Sequence, residues 1–349
     1  MEFPEESTRE VIAGGIWIFT GNIIVSIFGL IFWIVVTRLI GVESIGVAST
    51  IISSSMIAIT LFTAGLYISI VREVAAHGFQ TYISALLFAS VFGLLASALS
   101  IPLIILVNCP QYTFFGPFLV FFILLYTVSA LSLIGFQRFR SYTLTVFIAS
   151  SIKLILGILF ILMGYGTYGV LWAFTLFYII GFTTAFLLII SSVKEKNVSI
   201  HELFSKFKSL VSLTFSNYPY AFSNQLLLML SIYGFILMTG AFRETGVLYI
   251  AFMLMSTING LPVAILSASL SIATRKGSDP FYEGYRIGIS LSTLVIAFIV
   301  FLLPSISELL NLPINASIDV FRYLFLSIVP ITSLHICLLY TSPSPRDRG

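Results

Sequence analysis

A succession of long apolar runs decides what this chain can fold into. They occupy residues 11–40, 46–71, 82–107, 114–135, 142–163, 169–190, 213–240, 247–273, 285–303 and 320–336. A helix needs about 20 apolar residues to cross the hydrocarbon core of a bilayer. Backbone placed in hydrocarbon must satisfy its own polar groups, which helices do. The expected fold is therefore an all-α polytopic membrane protein with about ten transmembrane helices. Only 9% of the 349 residues are charged, against about 25% in soluble domains. The opening MEFPEESTRE is acidic and lacks the basic start of a cleavable leader, so the first run reads as a retained helix.

Loop charges orient the spans. With the N-terminus inside, the inner segments hold Arg9, Arg72, Arg138, Arg140, Lys194, Lys196, Lys206, Lys208, Arg275, Lys276 and Arg286, and the outer side holds Arg38, Arg243 and Arg322. The positive-inside rule then makes the N-terminus cytoplasmic. This explains the net charge of +3 without a nucleic-acid partner. The expected location is the plasma or inner membrane.

The fifth span, YTLTVFIASSIKLILGILFILM, carries one charge, Lys153, near its middle. A lysine at that depth costs roughly 2.5–3.5 kcal/mol on insertion scales. Helical spacing puts Thr143, Ser150, Lys153 and Gly157 on one face, so this helix has a polar seam that should point into a bundle or a wet cavity. Two readings stay open: a buried lysine satisfied by its neighbours, and a cationic site for an anionic substrate. Asn22 in the first span, Asn217, Asn224 and Gln225 in the seventh, and Asn259 in the eighth add polar groups at membrane depth. Singly, each is interhelical glue worth about 0.6 kcal/mol. Together with Lys153 they suggest a central cavity with polar, net-positive walls. Arg38, Arg72, Arg138 and Arg243 sit at span ends, where they either anchor headgroups or contact phosphate at the cavity mouths.

The chain repeats itself. Span one ends at Gly41-Val42-Glu43-Ser44-Ile45-Gly46, and span seven at Gly240-Ala241-Phe242-Arg243-Glu244-Thr245-Gly246. Internal repeats of this kind are common in transporters, with the substrate between the halves. Both halves start inside, so the repeat is parallel, about an axis along the membrane normal. The expected organisation is a first bundle at 1–192, a cytoplasmic linker at 193–212, and a second, incomplete bundle at 213–336. Within the linker, Ser199 and Glu202 match a capping box. Leu203, Phe204, Phe207, Leu210 and Val211 then form a stripe suited to a helix lying on the inner leaflet, or to a plain extension of span seven. Residues 337–349 (CLLYTSPSPRD and two more) resemble the translation of a sequencing adapter, and are read as a scar on a chain that runs on through twelve or more helices.

Catalytic chemistry has little to stand on. His77, His201 and His335 are scattered, two cysteines form no metal or disulfide framework, and no phosphate loop is present. Neither an enzyme, a metal nor a cofactor is expected. Glu43, Glu73, Glu244, Glu283, Glu308 and Asp319 all fall at span ends or in loops. A cation-coupled antiporter ordinarily needs buried carboxylates, so this counts against that class.

Several stretches carry a resemblance. They are Gly14-Gly15-Ile16-Trp17 through Gly21-Asn22, Thr37-Arg38-Leu39-Ile40 into the Gly41–Gly46 turn, and Val71-Arg72-Glu73-Val74-Ala75. Gly135-Phe136-Gln137-Arg138-Phe139-Arg140 and Thr245-Gly246-Val247-Leu248-Tyr249-Ile250-Ala251 continue the pattern. The chain thereby resembles polysaccharide-transporter flippases, of the superfamily that also holds multidrug and toxin extruders. That resemblance implies two six-helix bundles around a central cavity, and alternating-access movement of a lipid diphosphate-linked oligosaccharide to the outer leaflet. It implies the lipid-linked glycan, membrane lipids, and glycosyltransferases or a polymerase of the same pathway as partners. It gives Lys153 the role of binding the diphosphate. Many relatives carry an acidic residue late in span seven, near Ser231-Ile232-Tyr233 here, and this chain has none there. A small-solute antiporter of the same fold is the alternative.

Overall fold

The computed structural model describes residues 5–192, 200–216 and 218–253, with residues 290, 293, 294, 297 and 301. The helices are α1 (Glu5–Thr63), α2 (Leu66–His77), α3 (Phe79–Leu106), α4 (Phe115–Gly135), α5 (Phe139–Leu162), α6 (Gly166–Ser192), α7 (Ile200–Ser216) and α8 (Tyr218–Thr239). No strand occurs among the described residues. Among the described residues, five helices are long and apolar enough to cross a membrane: Ile16–Thr63 of α1, and α3 to α6.

Two expected spans share α1. They meet at Gly41, whose φ of 78° and ψ of 168° lie outside the helical region and kink the rod. The 41–46 stretch is therefore not a loop: one glycine makes the corner, because it alone tolerates that conformation without a Cβ clash. The second span is shorter than its apolar run. Ala64 and Gly65 form a turn that ends α1 and starts α2, so residues 66–71 belong to a separate short helix. The stripe in the linker becomes α7, packed on α3 with Leu210 and Thr214 buried and the Phe207 ring 6.1 Å from that of Phe88 between centroids.

Side-chain contacts set the helix directions. Trp17 meets Thr143, Phe28 meets Phe147 and Phe32 meets Gly157, so α1 and α5 run parallel. Tyr82 meets Ser129 and Ser97 meets Pro117, so α3 and α4 are antiparallel. Phe115 meets Trp172 and Tyr126 meets Tyr178, so α4 and α6 run parallel. Gly157 meets Ala173 and Gly181 meets Ala149, so α5 and α6 are antiparallel; spans one, three and five thus share one direction and spans four and six the other. α5 lies between α1 and α6. The chain divides into two compact units, Met1–Gly246 and Val247–Gly349; in the second, residues 247–253 are helical, with Val247, Tyr249, Ile250 and Ala251 buried.

Candidate functional site

The polar seam of α5 is buried along its length: Thr143, Ser150, Lys153 and Gly157 all face inward. Each has a distinct environment. Thr143 Oγ1 donates to the carbonyl of Trp17 at 2.7 Å, tying α5 to α1. Gly157 lets both neighbours come close, since a Cβ there would stand 2.5 Å from Phe32 Cε2 and 2.7 Å from Ala173 Cβ. Lys153 sits one turn before Gly157, between the two helices that Gly157 admits.

Lys153 is 6% exposed. Its Nζ lies 4.8 Å from the ring centroid of Phe174, 5.3 Å from Phe177 and 5.5 Å from Phe32. Neither a carboxylate nor a hydrogen-bond acceptor joins them among the described residues. A ring facing a desolvated ammonium contributes about 0.5–2 kcal/mol. Three together are of the size of the insertion cost given above, so the rings by themselves account for a lysine at this depth. Phe32 and Phe174 are in turn held by Trp33, 5.5 and 5.7 Å away.

Asn22 lies elsewhere. It is exposed, and Tyr142 Oη approaches its Oδ1 at 3.5 Å, a contact at the outer limit of hydrogen bonding. Tyr142 precedes Lys153 by three turns, about 16 Å along the helix axis. The phenols of Tyr142 and Tyr178 are within electrostatic reach of that of Tyr126. Asn22 thus belongs with a tyrosine cluster between α4, α5 and α6, and not with Lys153. The polar spacing had not pointed to those tyrosines.

The arginines separate in the same way. Arg138 Nη2 donates to the carbonyl of Ser192 at 3.2 Å, which places a cation on the C-terminal end of α6 where the helix dipole favours it. Arg38 and Arg243 are exposed. Arg72 is on α2, and Asn224 and Gln225 are on α8, with side chains outside the described residues, as are Asn217 and Asn259 altogether.

A second buried polar stretch lies in α1. Ser49, Thr50, Ser53, Ser54 and Ser55 of α1 are all 0% exposed. Most bond back to carbonyls one turn earlier, Ser49 and Thr50 to Gly46, Ser54 to Thr50 and Ser55 to Ile51. The run Ser53-Ser54-Ser55 inside an apolar span was the available signal. No group of three or more potential metal ligands occurs among the described residues.

No protein-family model and no curated protein matches the chain. Solved structures do. A MOP-superfamily transporter from Pyrococcus furiosus Vc1, described as having a binding pocket of reversed polarity that suggests a different function, is 15% identical with a TM-score of 0.65, over 94% of this chain and 82% of its own. A multidrug-resistance MATE-family transporter of the MOP superfamily in its outward-facing conformation is 16% identical with a TM-score of 0.67, over 93% and 81%. An inward-facing MATE-family transporter is 15% identical with a TM-score of 0.58, over 93% and 80%. At this identity the likeness concerns the fold. The chain is an all-α, multi-pass membrane protein with the two-bundle fold of the MOP-superfamily transporters.

Proposed function

We propose that this chain moves a lipid diphosphate-linked oligosaccharide from the cytoplasmic to the outer leaflet by alternating access. The observation that carries the reading is Lys153, a cation buried inside the first bundle with no acidic partner among the described residues. An anionic headgroup would pair with this ammonium when the rings give way. The two halves, residues 1–192 and 213–336, rock about the linker at 193–212 and expose the site to each side in turn. Asn22 and the tyrosines near it offer hydroxyl and amide groups to sugars, and Arg38, Arg72, Arg138 and Arg243 draw the diphosphate in. Asn217, Asn224, Gln225 and Asn259 complete the polar wall from the second half.

A small-solute antiporter on the same fold is the second reading, favoured by the MATE-family neighbours. The pocket charge separates the two. The Pyrococcus furiosus protein is described as differing in function on the ground of pocket polarity, and a lysine without a carboxylate suits an anion better than a cationic drug.

The test replaces Lys153 by Ala and by Arg in the intact chain, expressed in cells whose own glycan exporter has been deleted. Surface glycan should be lost with Lys153→Ala and retained in part with Lys153→Arg, at equal protein levels. Undiminished export by Lys153→Ala would overturn the role given to this residue. Restored drug resistance without glycan export would favour the second reading.

A further inference from the structure

Ser150 is the exception among the buried hydroxyls of its own helix. The hydroxyls of Thr143, Thr145 and Ser151 bond back to the carbonyls of Phe139, Ser141 and Phe147. Serine and threonine in apolar helices ordinarily do so, because an unpaired hydroxyl in hydrocarbon is costly. Ser150 is 1% exposed, and its Oγ has no hydrogen-bond partner among the described residues. It stands one turn before Lys153, which puts the two Cβ atoms about 5–6 Å apart on the same face.

Lys153 is in a related position. Three ring faces balance its charge, but they offer its N–H groups no acceptor atom. A hydroxyl and an ammonium on buried residues, neither with an acceptor among the described residues, thus lie within one turn of each other. Two such donors fit an oxyanion that presents two oxygens, and a charge-assisted bond from the ammonium is about twice as strong as a neutral one. They do not fit a cation, which would need acceptors.

We propose that Ser150 Oγ and Lys153 Nζ form a two-donor site for one phosphoryl group, and that Phe32, Phe174 and Phe177 are its cover. The proposal rests on the anion-transport reading above and adds the second donor and the cover. The rings belong to α1 and α6, whereas both donors belong to α5. A small separation of α1 or α6 from α5 uncovers the pair without disturbing it. Gly157 permits the closed arrangement, because any side chain there would meet the Phe32 ring.

The pair can be tested on the purified intact chain in nanodiscs. Binding of inorganic pyrophosphate is measured by calorimetry, alongside binding to vesicles containing a polyprenyl diphosphate. Ser150→Ala should weaken binding roughly tenfold or more, the usual range for a bond to a charged group, and Ser150→Thr should recover it. Lys153→Met should abolish it. Melting temperature supplies a readout that a structural role would move: Ser150→Ala removes no protein hydrogen bond, so it should leave stability unchanged, whereas Thr143→Ala should lower it. Binding to the vesicles alone identifies a lipid headgroup as the source of the phosphoryl group, and equal binding of free pyrophosphate identifies the phosphoryl group as sufficient. Wild-type affinity in Ser150→Ala overturns the two-donor site while leaving the anion reading intact. Binding of neither probe by the wild type, or full binding by Lys153→Met, overturns both.

Discussion

Gly46 and Gly246 lie against each other's neighbouring backbone, and they do so reciprocally. A Cβ on Gly46 would meet the carbonyl of Phe242 and, at 3.1 Å, the amide nitrogen of Gly246. A Cβ on Gly246 would meet the carbonyl of Val42 and, at 3.0 Å, the amide nitrogen of Gly46. Each glycine thus contacts the residue four positions before the other, the pattern that a local two-fold produces. The α-hydrogens point at carbonyl oxygens, as in close helix pairs joined through small residues. The obstructing atoms are backbone and cannot turn aside. Gly46→Ala and Gly246→Ala should each destabilise the chain by about 1–3 kcal/mol or more, as overpacking does. Because both changes break one contact, the double variant should cost clearly less than the sum. Thermal unfolding in detergent measures this, and strict additivity would show that the two sites are independent.

Arg138 is expected to matter little for stability. Its bond to the Ser192 carbonyl lies at the end of α6, where a cation contributes about 0.3–1 kcal/mol. Arg138→Gln should therefore lower the melting temperature only slightly. If glycan export fell sharply in this variant at unchanged stability, the arginine would be acting on substrate as well as on the helix end.

How far the sequence carries this fold can be judged at particular residues. The α5 seam needed only helical spacing, since the span's single charge falls on one face with Thr143, Ser150 and Gly157. The Gly41–Gly46 and Gly240–Gly246 stretches announced a likeness between the halves, but likeness does not state contact, and the meeting of Gly46 with Gly246 came from the structure. The rings around Lys153 could not be singled out. They come from positions 32, 174 and 177 of a chain with 33 phenylalanines, most of which serve equally well against lipid. The break at Ala64-Gly65 was hidden for a similar reason: two small residues inside an apolar run leave its hydropathy unchanged, and the turn shows only in the backbone.

Cys109 offers a pH-dependent check on the loop between α3 and α4. Burial pushes its thiol up to about 11. The thiolate is the reactive form, so roughly one thiol in ten thousand reacts readily at pH 7. Alkylation of the Cys109 peptide, followed by mass spectrometry in the folded protein, should be slow at pH 7. Its rate should rise about tenfold per pH unit and go on rising through pH 9–10, where a free cysteine has already levelled off. Fast labelling at pH 7 would mean that this loop opens in solution.

Phe174 is the ring nearest to the Lys153 ammonium, 4.8 Å from centroid to Nζ. Replacing it by alanine removes one of three faces and opens space beside the amine. Truncation of a buried phenylalanine costs about 3–5 kcal/mol, so Phe174→Ala should lower the melting temperature by several degrees while the other helix contacts persist. Phe174→Leu keeps most of the volume and removes only the ring, which separates packing from cation–π attraction. Both variants should make Lys153 more reactive towards an amine acylating reagent that enters the membrane, read as labelling of the Lys153 peptide at fixed pH. The alanine variant should exceed the leucine variant, because it removes bulk as well as charge complementarity. Addition of a polyprenyl diphosphate should then suppress the labelling, since an anion paired with the ammonium shields the nitrogen. Labelling that is unchanged in both variants would mean that the rings do not control access to Lys153, and that the cover assigned to Phe32, Phe174 and Phe177 is misplaced.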